Sequence, residues 1–239
     1  PVTTAVSQLA SVAASEVNYF LNTNKPKFSG DLIGTAVTVD VVIVRDADGN
    51  LIETGAAVIE GKRWTYITKN TLEDGIYKID VVGKDISGNQ SNHVGLVFEI
   101  DTVVPTVEIF DTATSNDVTP TIEGSTSEPN ATVTVVISKD GVPVDRGTAI
   151  VDSSTGNWSY TPSVDLADGA YKVDALAKDK AGNSSKDSNT VTVDIIAPEA
   201  PIGSFNDDGS VLDGIAQAGS LVTYTGPNGE ILTTQADQV

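Results

Sequence analysis

The sequence predicts an all-β fold, and three observations lead to this prediction. Hydrophobic residues make up 39% of the 239 residues, with only five Phe, six Tyr and two Trp among them. A chain that is rich in Val and Ile but poor in aromatic residues suits many short strands better than helices. Apolar and polar residues alternate over short runs between turn residues, and the chain repeats itself at a fixed spacing. Together these features predict small β-domains in tandem.

The internal repeat defines the domain organisation. Trp64 and Trp158 lie 94 positions apart. The same offset relates Pro26 to Pro120, Gly30 to Gly124, Tyr66 to Tyr160, Leu72 to Leu166, Asp74 to Asp168, Tyr77 to Tyr171, Asp85 to Asp179, Gly88 to Gly182 and Asn89 to Asn183; after a one-residue gap, Asp101 matches Asp194. A period this long corresponds to a whole domain rather than a solenoid repeat. The predicted domains are residues 1–103, residues 104–197 and an incomplete third copy, residues 198–239.

Strand signals in the second repeat indicate the type of domain. The run "TVTVVISKDG" alternates Val133, Val135 and Ile137 on one face and ends in an Asp-Gly turn. Strands are also predicted in "PTIEG", on both sides of the turn at Gly156, in "AYKVDALAK" and in "NTVTVDI". About seven short strands are typical of an immunoglobulin-like sandwich, so the predicted fold is a linear array of tandem immunoglobulin-like β-sandwiches. One helix-like stretch, "SQLASVAASEV" from Ser7, is short and fits a fraying segment equally well.

Charge and composition exclude several kinds of function. The 33 acidic and 14 basic residues give a formal net charge of -19, which repels nucleic acid and anionic membrane surfaces. The chain has no Cys and a single His, His93, so disulfides, thiolate zinc sites and multi-histidine metal sites are ruled out. The chain starts at Pro1 without a signal-peptide pattern and contains no run of about 18 apolar residues. We therefore expect a piece of a longer protein, without membrane insertion of this segment.

Several short motifs follow one another in a fixed order. They are "KD-x-x-GN" at Lys84 and Lys178, "D-x-x-x-P" at Asp101 and Asp194, "TPTI-G" at Thr119, "GNW" at Gly156 and "LADG-Y" at Leu166. In this order and spacing they resemble the bacterial Ig-like domains of giant surface adhesins secreted by type I systems, the Bap-like group. The resemblance covers both complete repeats and the start of the third. It implies a secreted, single-chain rod on the bacterial surface, often stiffened by calcium at domain junctions, that carries a binding tip away from the cell.

The topology predicts where calcium would bind. Calcium needs about six to eight oxygen ligands, so several loops must converge. In this type of sandwich the loops between strands B and C and between strands F and G lie at the end where the chain enters the domain. Asp179 in the F to G loop and Glu128 in the B to C loop, with Asn130 as an additional ligand, therefore face the linker that carries Asp101. We predict a calcium site at the junction of the first two domains from Asp101, Glu128 and Asp179.

Two further sets of acids are candidates. By the same argument Asp85, with Asp31 in the matching loop, faces a preceding domain, and Asp194 meets the third. At the opposite end of the second domain, Asp117 or Asn116 lies near Asp168.

Turn formation is the alternative interpretation of several of these acids, because Asp at turns commonly bonds its own backbone. We prefer it for Asp74, Asp140 and Asp168, and we prefer calcium for Asp101, Asp179 and Asp194. The runs "RDADGN" at Arg45 and "NDDG" at Asn206 resemble calcium loops but are interpreted first as turns.

The leading functional hypothesis is a calcium-stiffened spacer of a surface adhesin that supports host-cell adhesion or biofilm formation. The alternative is an Ig-like module that itself binds a host glycan or protein. No aromatic cluster or basic patch marks such a site, and Trp64 and Trp158 are interpreted as core residues rather than as sugar-stacking platforms. An enzyme is not expected, because acids duplicated at turns of two equal domains make a poor catalytic pair.

Overall fold

Short strands are the only regular elements in the part of the chain that the structure describes. The computed structural model describes residues 2–3, 19–32, 34, 36–45, 50–205, 212–226 and 228–237. The helix-like stretch from Ser7 and the acidic centres of "RDADGN" and "NDDG" lie outside these ranges. Among the described residues, no helix is long and apolar enough to span a bilayer.

In the described residues, the first unit contains nine strands. They are β1 (Val2–Thr3), β2 (Tyr19–Leu21), β3 (Lys27–Asp31), β4 (Thr38–Arg45), β5 (Leu51–Ala56), β6 (Val58–Glu60), β7 (Arg63–Ile67), β8 (Gly75–Lys84) and β9 (Val94–Ile100). One sheet has the order β1-β3-β7-β6 and the other β2-β9-β8-β4-β5. Phe28 and Trp64 from the first sheet and Tyr77 and Phe98 from the second share one buried cluster, so the two sheets pack as a sandwich.

The second unit repeats this plan with eight strands. They are β10 (Val107–Ile109), β11 (Ile122–Thr126), β12 (Thr132–Lys139), β13 (Val142–Thr148), β14 (Ile150–Val151), β15 (Asn157–Tyr160), β16 (Gly169–Lys178) and β17 (Ser184–Val193). The sheets have the orders β10-β11-β15-β14 and β13-β12-β16-β17. Trp158 lies in the core between them, which confirms its interpretation as a core residue.

Alternation along the two central strands builds this core. On β12, Val133, Val135 and Ile137 are fully buried. They pair in register with three positions of β16 that are also buried, Ala177, Ala175 and Val173. The predicted inward face of β12 is confirmed, and a one-residue slip of either strand would turn its three side chains outward.

The chain passes from one sheet of the second unit to the other between β13 and β14. The sequence predicts one strand before the turn at Gly156, but the structure ends β13 at Thr148 and begins β14 at Ile150. Between them Ala149 is buried, and its N–H donates to the carbonyl of Val133 at 2.9 Å. The small side chain lets the strand pass over the core, so that β13 pairs with β12 while β14 pairs with β15.

A tyrosine in each unit fixes the loop that precedes β8 in the first unit and β16 in the second. The hydroxyl of Tyr77 donates to the carbonyl of Glu73, and that of Tyr171 donates to the carbonyl of Ala167, both at 2.8 Å. A tyrosine that bonds the backbone four residues upstream at this corner is a hallmark of immunoglobulin-like sandwiches. The predicted all-β fold of tandem immunoglobulin-like sandwiches is therefore confirmed.

The third segment consists of two hairpins in the described residues. Strands β18 (Ile202–Phe205) and β19 (Leu212–Ile215) form one, and β20 (Leu221–Thr225) and β21 (Ile231–Gln235) form the other. Ile202, Ile215 and Leu221 are 72% to 80% exposed. The buried clusters of the described residues lie in the first and second units, so these hairpins contribute no comparable core.

Candidate metal centre at the junction of the two units

Three parts of the chain meet where the first unit passes into the second. Asp101 follows β9 in the linker, Glu128 lies in the loop between β11 and β12, and Asp179 opens the loop between β16 and β17. One carboxylate oxygen from each of the three side chains lies within 4.8 Å of the others. Within the described ranges, this is the one such group of three or more acidic, His or Cys side chains. The loops that the topology argument brings to this end therefore converge.

Asp179 is held by its own loop, residues 179–183, which we call the FG loop. Its Oδ1 accepts hydrogen bonds from the backbone N–H groups of Gly182 (2.6 Å) and Asn183 (2.8 Å), and its Oδ2 accepts from Asn183 Nδ2 at 2.7 Å. Gly182 has φ +100°, a conformation that favours glycine. The side chain of Asp179 is thereby fixed, with the residue only 9% exposed.

Asp101 is held from the side of the first unit. Its N–H donates to the carbonyl of Leu21 at 3.0 Å, and its Oδ1 accepts from the N–H of Val103 at 3.1 Å. The next residue, Thr102, donates both its N–H and its hydroxyl to Asp74 Oδ1, at 3.2 and 2.9 Å. The linker therefore leaves the first unit in a defined direction that presents the Asp101 carboxylate to the second unit.

Glu128 is the third member of the group, and the charges of the other two carboxylates act on it. The loop around it turns back where the carbonyl of Glu128 accepts from the N–H of Ala131 at 2.9 Å. Burial raises the pKa of Glu128 above its ordinary value of 4.5, and the nearby charges of Asp101 and Asp179 raise it further. None of the three ion pairs among the described residues involves these carboxylates, so their repulsion is not offset there by a salt bridge.

This donor set suits a hard divalent cation. Carboxylate oxygens are the ligands that calcium prefers, and three carboxylates supply three to six of the roughly six to eight oxygens it needs. A cation among them would replace mutual repulsion with attraction. The described residues supply no hydrogen bond that lowers the pKa of Glu128, which leaves its carboxylate available as a ligand.

The matching end of the first unit is different. Asp85 forms the same turn as Asp179, accepting from the N–H groups of Ser87 and Asn89 and from Asn89 Nδ2 at 2.8 to 2.9 Å. Asp31 is exposed at the end of β3. The position that the repeat aligns with Glu128 is Gly34, so the first unit has no acid at the place that Glu128 occupies in the second. A metal role for Asp85 and Asp31 stays a prediction.

Asp194 repeats the conformation of Asp101 in the second linker. Its N–H donates to the carbonyl of Ser115 at 2.8 Å, and its Oδ1 accepts from the N–H of Ile196 at 3.2 Å. The described residues place no pair of further acids around it. Its binding to calcium also stays a prediction.

Asp117 and Asp168, at the opposite end, each bond backbone groups. Asp117 Oδ1 accepts from the N–H of Thr119 at 2.8 Å, as its turn interpretation requires. Asp168 Oδ1 accepts from the N–H of Ile195 at 3.1 Å, so this acid orients the second linker as Asp74 orients the first. The two acids form no group of three with another acid in the described residues. A metal role for them stays a prediction.

Sequence comparison assigns the chain to a family. The sequence model of the bacterial Ig-like domain matches residues 2–102 and again residues 110–195. The chain belongs to this family. No curated protein matches it closely enough in sequence to count as a relative.

Solved structures with similar folds include parts of a large adhesion protein and of a bacterial ice-binding adhesin. The tetra-tandem repeat from the extending region of a large adhesion protein is 23% identical, with a TM-score of 0.36, over 92% of this chain and 61% of that one. The chain thus spans about three fifths of that structure. A 1.5-MDa bacterial ice-binding adhesin is 19% identical (TM-score 0.34; 90% and 77% covered), and the fibronectin(III)-like modules of Clostridium thermocellum CbhA are 13% identical (TM-score 0.47; 77% and 93% covered).

Each bacterial Ig-like unit also contains a buried acid that the sequence analysis missed. Asp145 on β13 accepts from the hydroxyl of Tyr160 at 2.6 Å and from the N–H and hydroxyl of Ser163 at 3.0 and 2.7 Å. Glu53 on β5 accepts from the Tyr66 hydroxyl at 2.7 Å in the same way. The two acids lie 92 positions apart rather than 94, so a fixed offset does not align them. The signal that could have found them is the glycine two residues after each acid, which makes room for the tyrosine ring.

Proposed function

We propose that the chain is a spacer segment of a bacterial cell-surface adhesin, in which calcium joins the first and second units. The observation that carries this proposal is the convergence of Asp101, Glu128 and Asp179 from three separate parts of the chain. Bound there, calcium would supply positive charge to three carboxylates that otherwise repel one another. Because one acid comes from the linker and two from the second unit, the cation would restrain the angle between the units.

The architecture supports a structural role. Each unit is a sandwich, and the linkers that follow the two units repeat the same turn at Asp101 and Asp194. One similar structure is described as part of the extending region of its large adhesion protein, which is the kind of role proposed here. Under the same proposal, the protein lies on the cell surface and has a structural rather than an enzymatic role.

Calorimetric titration of the full chain with calcium tests the site. We expect one saturable site with a dissociation constant of about 10⁻⁴ to 10⁻³ M, the range of extracellular calcium modules. Glu128→Gln should weaken binding strongly, since it removes a charged ligand but keeps the shape of the side chain. Glu123→Gln, at an exposed position on β11, is the matched control and should bind as the parent does. No saturable binding, or equal binding by both variants, would rule out the site.

A further inference from the structure

The FG loop contacts the first unit through groups other than carboxylates. Asn183 Nδ2 donates to the backbone carbonyl of Asp101 at 2.8 Å as well as to Asp179 Oδ2 at 2.7 Å. Lys180 Nζ lies 5.4 Å from the ring centroid of Phe20, which is on β2 of the first unit. A cation that close to an aromatic ring is attracted to its face. The loop therefore reaches the first unit at two points, and neither requires a metal.

The linker between the units is tied down on both sides. Asp101 and Thr102 are bonded to Leu21 and Asp74 of the first unit. At the other end, the N–H of Thr106 donates to Ser127 Oγ of the second unit at 2.8 Å. Only residues 103–105 separate the two tethered parts. A span this short limits how far the units can move apart before the FG loop contacts break.

The corresponding loop of the first unit is held by the same internal hydrogen bonds. Asp85 and Asn89 make the same internal hydrogen bonds as Asp179 and Asn183. Where Lys180 meets Phe20, the aligned residue of the first unit, Ile86, is 91% exposed. The FG loop of the second unit is thus ordered by its own Asp and Asn, so docking against the first unit costs little additional conformational entropy.

We propose that the FG loop is a latch that docks the second unit onto the first independently of any cation. Asn183 is its central residue, because one side-chain nitrogen joins the loop carboxylate to the carbonyl of the linker. Lys180 adds a second contact to the first unit. The latch goes beyond the calcium site proposed above and does not depend on it.

The expected effect of removing the latch follows from its two contacts. An ordinary hydrogen bond changes an equilibrium about fivefold, and an exposed cation–π contact changes it about two- to fivefold. The double variant Lys180→Ala, Asn183→Ala should therefore lower the ratio of docked to undocked units by about tenfold or more. Lys180→Ala alone leaves the Asp179 turn intact and should give only the smaller part of that change.

Pulsed electron spin resonance on the full chain measures this ratio. The chain has no Cys, so Lys62→Cys in the first unit and Val142→Cys in the second, both exposed, accept spin labels specifically. A docked pair gives a narrow distribution of label distances, and an undocked pair gives a broad one. The matched control is Ile86→Ala, Asn89→Ala, which changes the same two positions of the first unit's loop.

Four conditions separate the latch from the calcium site, namely the labelled chain with and without the latch substitutions, each in calcium and in EDTA. We expect the latch variant to be broader than the parent in EDTA, and the control variant to match the parent. Equal distributions for parent and latch variant in EDTA, or equal broadening by the control, would overturn the proposal. If calcium changes neither protein while the latch variant still broadens, the calcium site fails and the latch stands.

Discussion

Replacing Asp101 with Asn tests whether the junction carboxylates repel one another. Asn keeps the oxygen that accepts from the N–H of Val103 but removes one charge. The three oxygens lie within 4.8 Å of one another, and two unit charges at that upper limit repel by about 1 kcal/mol in water and about 3.5 kcal/mol at an effective dielectric constant near 20. Asp101 faces two such partners, and partial exposure and salt reduce both interactions. We expect a net relief of about 1 to 2 kcal/mol in calcium-free buffer.

The assay is thermal unfolding of the full chain in EDTA and in calcium. In EDTA, Asp101→Asn should raise the melting temperature of the second unit by about 4 to 8 °C per kcal/mol of relief. Calcium at ten times its dissociation constant should stabilise the parent by about 1.4 kcal/mol, and the variant should lose most of this increment. The matched control is Asp194→Asn, which has the same turn but no described acid cluster.

A second readout is the pKa of Glu128, measured by carboxyl NMR. Burial raises it, and Asp101 and Asp179 raise it further, so Asp101→Asn should lower it while Asp194→Asn should not. The reasoning is refuted if Asp101→Asn fails to stabilise the protein in EDTA, or if calcium stabilises it as much as it stabilises the control.

Three other predictions concern the units themselves. Burial raises the pKa of Asp145, but hydrogen bonds from Tyr160 and Ser163 outweigh this effect and hold the net pKa below 3.8. The Asp145 carboxylate should therefore stabilise the folded protein above its unfolded pKa, and this stabilisation should be lost as the pH falls through its folded pKa. Asp145→Asn should flatten the dependence of unfolding free energy on pH at the acid end of a denaturation series. Burial, followed by the neighbouring acid, raises the pKa of Tyr160 and of Tyr66 to about 12. Absorbance titration should therefore show these two tyrosines ionising late, with stability falling as the pH passes from 10 towards 12. Gly182→Ala should destabilise the second unit by about 1 kcal/mol or more because of the positive φ, although its new Cβ would only reach ordinary contact with Asn22; an unchanged melting temperature would contradict this.

Much of the fold could be predicted because it depends on local patterns. Alternation of Val133, Val135 and Ile137 specifies an inward face regardless of the neighbours, and the repeat of Asp179 after Asp85 specifies the same turn twice. Loop positions follow from the order of the strands, which is why residues as distant as Asp101 and Glu128 could be expected at one end.

The features that were missed depend on side-chain packing. Asp145 sits in the run "VPVDRG", and only the glycine two residues after it distinguishes a buried acid with a tyrosine partner from an exposed acid. The contact of Lys180 with Phe20 requires a particular angle between the units, which strand patterns do not determine. Whether calcium occupies the junction depends on affinity, and it stays a prediction.

The turn at Asp101 and the FG loop have a consequence for how such proteins grow. The loop lies where the chain enters a unit and the turn lies where the chain leaves it, so the two surfaces that meet are different. Contacts of this head-to-tail kind join two different surfaces, so the same contact can be repeated from one unit to the next along a chain. A gene that duplicates such a unit copies both halves of the contact at once, so each added unit arrives already able to dock on its neighbour. The length of the array can then change by duplication or deletion without any new interface having to evolve.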